Sequence, residues 1–272
     1  MRSDAHTAME TGLLQLWCAR PDDLQDAARH AACVALLNEE ENARWQRFRF
    51  EADQRQSLLG LALTRVVLAQ AVGGDPHALR FTANAHGKPQ LVEDCGWKFN
   101  RTNTRSLVVC AATQGAEVGV DAEPFSRATQ VQRVAEEVCT ARELKLMEAL
   151  KDEPLQQRAL AFWTLKEAYG KALGVGLSMA PRKAEFLFDT QGAFHADLEA
   201  VQVGESRRWQ FGLLYFAEHR IAFCVERRAA WRVQIYCTLP GAWPCEPSDA
   251  DEVVWSSERL SNAESSCANC WT

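Results

Sequence analysis

No run in this 272-residue chain approaches the roughly 18 consecutive apolar residues that a membrane-spanning helix needs, which argues against a membrane protein. Its start has one basic residue before Asp4 and an apolar stretch too short for a signal peptide, so export is not expected. Positive charge is not in surplus. The 30 Lys and Arg face 36 Asp and Glu, a net charge of −6, which argues against a nucleic-acid binder that works by bulk charge; any basic site must be local. There is no G-x-x-x-x-G-K-[ST] loop, no G-x-G-x-x-G and no G-x-S-x-G, so the enzyme classes built on those turns are disfavoured. Cysteine is the exception to this scarcity, with ten present. A disulfide framework belongs to short secreted chains, however, and Cys110 and Cys224 lie in apolar strand-like runs where a free thiol behaves as a small buried hydrophobe. A reduced, cytoplasmic protein is expected.

With 47% hydrophobic and 24% charged residues, the chain has a globular composition, and its length suits one large domain or two packed halves. Residues 13–18 read as a strand, and Asn38 three before Glu41 is a capping-box signature for a helix carrying Arg44, Trp45, Arg47 and Phe48. Residues 58–71 continue helical until Gly73-Gly74, and strands follow at 79–83, 90–92, 97–100 and 107–113, with a turn through 86–89. The order then repeats: a strand at 118–122, helices at 131–139, 141–151 behind Thr140 and Glu143, and 154–173 up to Gly174, then strands at 184–188, 193–198, 209–216 and 221–226. The expectation is an α+β protein of two similar α/β subdomains, 1–113 and 114–228, related by a pseudo-twofold, with ligands in the cleft between them. Residues 229–272 are expected to form a poorly ordered tail.

In Glu117-Val-Gly-Val-Asp-Ala-Glu123, Asp121 and Glu123 stand two apart on a strand and so emerge on one face. Such a pair suits a hard cation that also takes phosphate oxygens, although solvated acids before the Pro124 turn are the plainer reading. In Phe162-Trp-Thr-Leu-Lys-Glu-Ala-Tyr-Gly-Lys171, spacings of four put Trp163, Glu167 and Lys171 on one helical stripe. Glu167 and Lys171 could be an ordinary exposed pair, but the neighbouring aromatics argue for partial burial, where a carboxylate near a cation suits metal binding or proton transfer. Lys88 lies in a turn, and Arg44, Arg47, Arg49 and Arg55 form the main basic cluster.

The joint order of these pieces resembles the surfactin-type 4′-phosphopantetheinyl transferases. The family's G-[IV]-D-x-E stands as Gly119-Val-Asp121-Ala-Glu123, its W-[ST]-x-K-E-[AS]-x-x-K as Trp163-Thr-Leu-Lys166-Glu167-Ala-Tyr-Gly-Lys171, and its G-K-P-x-L as Gly87-Lys88-Pro89-Gln90-Leu91. The resemblance spans roughly residues 44–226 and implies two α/β subdomains flanking the site. It implies transfer of the phosphopantetheine arm of coenzyme A to a serine of an apo acyl or peptidyl carrier protein, with release of adenosine 3′,5′-bisphosphate. Asp121, Glu123 and Glu167 would hold Mg²⁺. Glu167 would take the serine proton, Lys171 and Lys166 would stabilise phosphate charge, and Lys88, Arg44, Thr102 and Asn103 would contact coenzyme A. Where the family reads F-N-[LIV]-S-H, this chain has Phe99-Asn100-Arg101-Thr102-Asn103. The hydroxyl is kept and the histidine is not, and Arg101 and Arg105 flank the change. A weakened homologue that only binds coenzyme A or a carrier is the alternative, and a metal-dependent phosphoanhydride hydrolase is a third reading. The expected partners exclude nucleic acid and membranes, and the two built-in halves favour a monomer.

Overall fold

A computed structural model describes residues 11–175, 183–228, 230–237, 248–249 and 254–257. β1 (Thr11–Ala19) leads through α1 (Ala27–Ala35) and α2 (Glu39–Gln46) to α3 (Glu51–Val72). A hairpin of β2 (Phe81–Ala83) and β3 (Pro89–Leu91) follows, then β4 (Trp97–Asn103) and β5 (Val108–Gln114). The second half opens with β6 (Val118–Pro124) and runs through α4 (Ala128–Arg133), α5 (Ala135–Val138), α6 (Ala141–Met147) and α7 (Asp152–Leu173). It continues with β7 (Glu185–Phe188), β8 (Phe194–Asp197), α8 (Glu205–Arg208), β9 (Trp209–Phe216) and β10 (His219–Glu226). Three later strands are β11 (Ala230–Cys237), β12 (Ser248–Asp249) and β13 (Val254–Ser257). The fold is α+β.

Local chemistry sets the helix ends. Asn38 accepts from the Glu41 amide while the Glu41 carboxylate accepts from the Asn38 amide, and Thr140 and Glu143 form the same box at α6. The helices α3 and α7 are each 22 residues long, and each is stopped by a glycine at φ +68°, Gly73 and Gly174, where a side chain would be strained.

The strands form two main sheets, ordered β12-β11-β1-β5-β4 and β6-β10-β9-β13-β8-β7. Strand alternation gives each sheet two apolar faces. On β5, Val108, Cys110 and Ala112 pack against α3, while Val109 and Ala111 join Leu14 and Leu16 against Val118, Val120 and Ala122 of β6 and Ile221 and Phe223 of β10. The sheets therefore share one interior, with α3 outside the first and α7 outside the second. No helix among the described residues is long and apolar enough to cross a membrane.

The expected tail from 229 needs correction. β11 pairs in parallel with β1, with Val233 opposite Leu14 and Ile235 opposite Leu16, and β13 pairs with β8 and β9. The reason lies in the sequence: Val233 and Ile235 alternate with Arg232 and Gln234, so the strand has one apolar face, and that face completes the shared interior. The first sheet thus takes a strand from beyond residue 228, which the expected boundaries did not allow. The other residues of 229–272 lie outside the described residues.

Candidate active site

The site grows from β6. Val118, Val120 and Ala122 fill the shared interior, which turns Gly119, Asp121 and Glu123 to the other face, under α7. The α7 stripe crosses the two acids. Trp163 Nε1 donates to Glu123 Oε1 at 3.1 Å, and Lys171 Nζ donates to Asp121 Oδ1 at 2.6 Å. Glu167 sits between them, half-buried, close enough that the charges of Asp121 and Glu123 act on it. β4 closes the arrangement: Thr102 Oγ1 donates to Asp121 Oδ1 at 3.1 Å and accepts from Lys171 Nζ at 3.0 Å. Nearby, Asn100 Oδ1 accepts from the Val120 amide at 2.9 Å, which ties the edges of the two sheets together.

A cleft of about 820 Å³ opens here, lined by Thr102, Asp121, Glu123 and Lys171 together with Arg101, Asn103 and Arg105. Glu167 is not part of its lining. Asn103 does reach the cleft, but it lies on the α3 face of β4 beside Arg101, whereas Thr102 alone turns to the acids.

Three of the expected phosphate contacts are not made ready by this structure. Lys166 is 2% exposed, its Nζ 2.8 Å from Glu143 Oε2 and donating to the Ala184 carbonyl at 2.5 Å. One residue from Glu167 on a helix is a turn of about 100°, which sends it into the core instead of the cleft. The Lys88 ammonium is likewise engaged, donating to Glu117 Oε2 at 2.8 Å and to the Ala172 and Val118 carbonyls at 2.9 and 3.3 Å. It fastens the turn of the first half to β6 and to the end of α7. Arg44 is exposed on α2, outside the cleft lining, and its charge acts on Arg101.

Sequence reasoning read Glu143 only as a cap, although it is fully buried. It also overlooked Arg127, which donates to Glu123 Oε1 at 2.5 Å, and Glu117 as the partner of Lys88. The spacing of four between Glu123 and Arg127 was the one available signal.

Breaking a buried pair strands a charge, so Lys166→Met is expected to cost about 3–5 kcal/mol. Adding Glu143→Gln should recover part of this, because glutamine keeps the acceptor for the Phe186 amide without the charge. Thermal melts of the two variants check it. A destabilisation that Glu143→Gln deepens would contradict the pairing.

Burial, then the charge of Asp121, raises the Glu167 carboxyl above its ordinary 4.5. Glu123 is raised by the same two causes, against the pull of Arg127 and Trp163. A raised acid holds its proton more tightly in the folded chain than in the unfolded one. Its stabilisation is therefore present at low pH and lost as pH climbs through the raised range. Glu167→Gln stays neutral, and is expected to raise the metal-free melting temperature by about 2–4 °C near neutral pH and to change little at about pH 4. An equal gain at both pH values would assign the effect to packing.

Among the described residues, no three His, Cys, Asp or Glu side chains form a ready-made metal cage. Asp121 and Glu123 instead face the cations of Lys171 and Arg127. The donor set nevertheless suits Mg²⁺, which commonly takes one or two carboxylates, waters and substrate phosphates and seldom an all-protein cage. Asp121 Oδ2 is the specific fit: it is buried beside the cleft with no hydrogen-bond partner among the described residues.

Comparison with known proteins places two segments of the chain in described families. Residues 25–115 match the 4′-phosphopantetheinyl transferase N-terminal family, and residues 117–224 match the 4′-phosphopantetheinyl transferase superfamily. A phosphopantetheinyl transferase of Thraustochytrium sp. is 30% identical over 220 residues, 75% of each chain. The 4′-phosphopantetheinyl transferase HetI of Nostoc sp. is 32% identical over 158 residues, 57% of this chain and 64% of that protein, so the match spans less than two thirds of its length. Human L-aminoadipate-semialdehyde dehydrogenase-phosphopantetheinyl transferase is 26% identical over 174 residues, 60% of this chain and 56% of that one. Among solved structures, a holo-(acyl-carrier-protein) synthase from Bacillus anthracis in complex with coenzyme A aligns with a TM-score of 0.35 at 21% identity, covering 40% of this chain and 94% of that one. The acid pair on β6, the stripe on α7 and the two matching segments lead to one family: the chain belongs to the 4′-phosphopantetheinyl transferase superfamily.

Proposed function

We propose that this chain transfers the 4′-phosphopantetheine group of coenzyme A to a serine hydroxyl of an apo acyl or peptidyl carrier protein, releasing adenosine 3′,5′-bisphosphate. The observation that carries this reading is Asp121. One carboxylate oxygen is fixed by Thr102 and Lys171, the other is buried without a hydrogen-bond partner among the described residues, Glu123 shares the cleft lining with it, and Glu167 is near enough for its charge to be felt.

Phosphoryl transfer asks the protein mainly for positioning and charge neutralisation. The Lys171 ammonium is placed to meet phosphate oxygens, and Thr102 orients it. Glu167, raised by burial and its acidic neighbours, is the more basic for it and takes the proton as the serine oxygen attacks; the phosphoanhydride bond breaks, and the bisphosphate leaves. Mg²⁺ held by Asp121 with Glu123 and Glu167 would supply further charge neutralisation at the diphosphate.

Two family segments in succession on one chain support the surfactin-type subclass and a monomer, since both walls of the cleft come from one polypeptide. On the same reading the chain acts in the cytoplasm on a protein partner and not on nucleic acid. Incubation with coenzyme A, Mg²⁺ and apo carrier proteins, followed by intact-mass analysis, tests the assignment. A gain of one phosphopantetheine on the carrier supports it. Coenzyme A binding with no gain on any carrier, or bisphosphate release without modification, overturns it.

A further inference from the structure

We infer that Arg101 is the residue through which the first half of the chain holds a phosphate group of its substrate, an inference that rests on the transfer reading above. β4 keeps its alternation through Asn103, so Phe99, Arg101 and Asn103 face α3 while Asn100 and Thr102 face the second half. A notch in α3 receives them. A Cβ at Gly60 would stand 3.1 Å from Arg101 Nε and 3.1 Å from Asn103 Oδ1. Glycine inside a helix costs about 1 kcal/mol relative to alanine, and here it leaves room for a guanidinium at the cleft wall.

That guanidinium is half-buried and has no carboxylate partner among the described residues; Nη1 donates to Thr64 Oγ1 at 3.2 Å. The acid nearest in charge, Glu41, is committed to Arg65 at 2.7 Å. Burial, and then the charge of Arg44, depress Arg101 below its ordinary value. Among the described residues Arg44 also lacks a carboxylate partner, as does Arg105 on the cleft lining. Asp53, Asp121 and Glu123 also line this cleft, but none of them pairs with Arg101 among the described residues, so its charge, beside Arg105 and Lys171 on the same lining, favours the entry of an anion. A phosphate dianion fits, because the guanidinium fork can donate to two of its oxygens. The departure from the family pattern then has a physical meaning. The cation missing at Asn103 stands two residues earlier on the same face of the same strand.

Calorimetric titration with adenosine 3′,5′-bisphosphate and with coenzyme A tests this in wild type, Arg101→Met, Arg101→Lys and Gly60→Ala, alongside transfer kinetics and thermal melts. Arg101→Met is expected to weaken both ligands about tenfold, the equivalent of about 1.4 kcal/mol. KM for coenzyme A should rise in step, with kcat within about twofold and a melting temperature unchanged or higher. Arg101→Lys should recover part of the affinity. Gly60→Ala, which removes no charge, should weaken binding several-fold by closing the notch. If folded Arg101→Met binds the bisphosphate within about twofold of wild type, or if it lowers only the melting temperature, the inference is overturned while carrier modification by the wild type still stands. If the wild type binds neither ligand, the transfer reading itself fails and takes this inference with it.

Discussion

Asp121→Ala is expected to lower carrier modification on the order of a thousandfold and to leave the chain folded, with a melting temperature near that of the wild type. The two halves of this expectation come from one geometry. Asp121 Oδ1 organises Thr102 and Lys171, and Oδ2 is a buried atom with no hydrogen-bond partner among the described residues. The side chain belongs to no apolar core cluster, and its bonds are to Thr102 and Lys171 at the cleft, so the fold gives up little. Lys171 loses its ion pair but is 26% exposed and can be met by water. The site, by contrast, loses the group around which its cations are arranged. Steady-state kinetics with a carrier substrate and a thermal melt check both parts, and a variant with more than a tenth of wild-type kcat/KM would remove Asp121 from its assigned role.

Gly119→Ala should damage the fold itself. A Cβ at this position would fall on the Ala168 carbonyl oxygen and the Ala172 amide nitrogen, and would stand 2.8 Å from the Ala172 Cα, all backbone atoms of α7. No rotamer change relieves a clash with backbone, so α7 must move off β6. A cost of about 3 kcal/mol or more is expected, with a fall of about 6–12 °C in melting temperature. Transfer should fall further than stability alone requires, since Glu167 and Lys171 ride on the displaced helix. A melting temperature within about 2 °C of wild type would contradict the close approach. The glycine of the Gly119-Val-Asp121-Ala-Glu123 motif is thus explained by contact: it lets the helix with the base and the ammonium lie directly on the strand with the acids.

Much of this was legible from local patterns. The capping boxes at Asn38 and Thr140, the stops at Gly73 and Gly174, and the alternation that sends Asp121 and Glu123 to one face depend only on neighbours in sequence, and they stand in the structure as read. Trp163, Glu167 and Lys171 were read as one stripe for the same reason, and their partners lie along one acidic face. What could not be read was the choice of long-range partner. Lys166 and Lys88 each have a carboxylate waiting 23 and 29 residues away, and neither Glu143 nor Glu117 carries a mark of it in sequence. A motif match conveys which residue types stand where, not which of two neighbouring lysines a helix turns inward. β11 was missed although its apolar alternation was visible, because its pairing strand lies at the opposite end of the chain. Arg101 was noticed as a flanking charge; its notch in α3 needed coordinates.

Titration of Mg²⁺ by calorimetry into the chain with coenzyme A present probes whether the acids of β6 and α7 act as one ligand set. One ion per wild-type chain is expected, with no measurable binding in Asp121→Ala and weaker binding in Glu123→Gln and Glu167→Gln. Unchanged stoichiometry and affinity in Asp121→Ala would show that the ion, and with it the chemistry assigned to this cleft, belongs elsewhere.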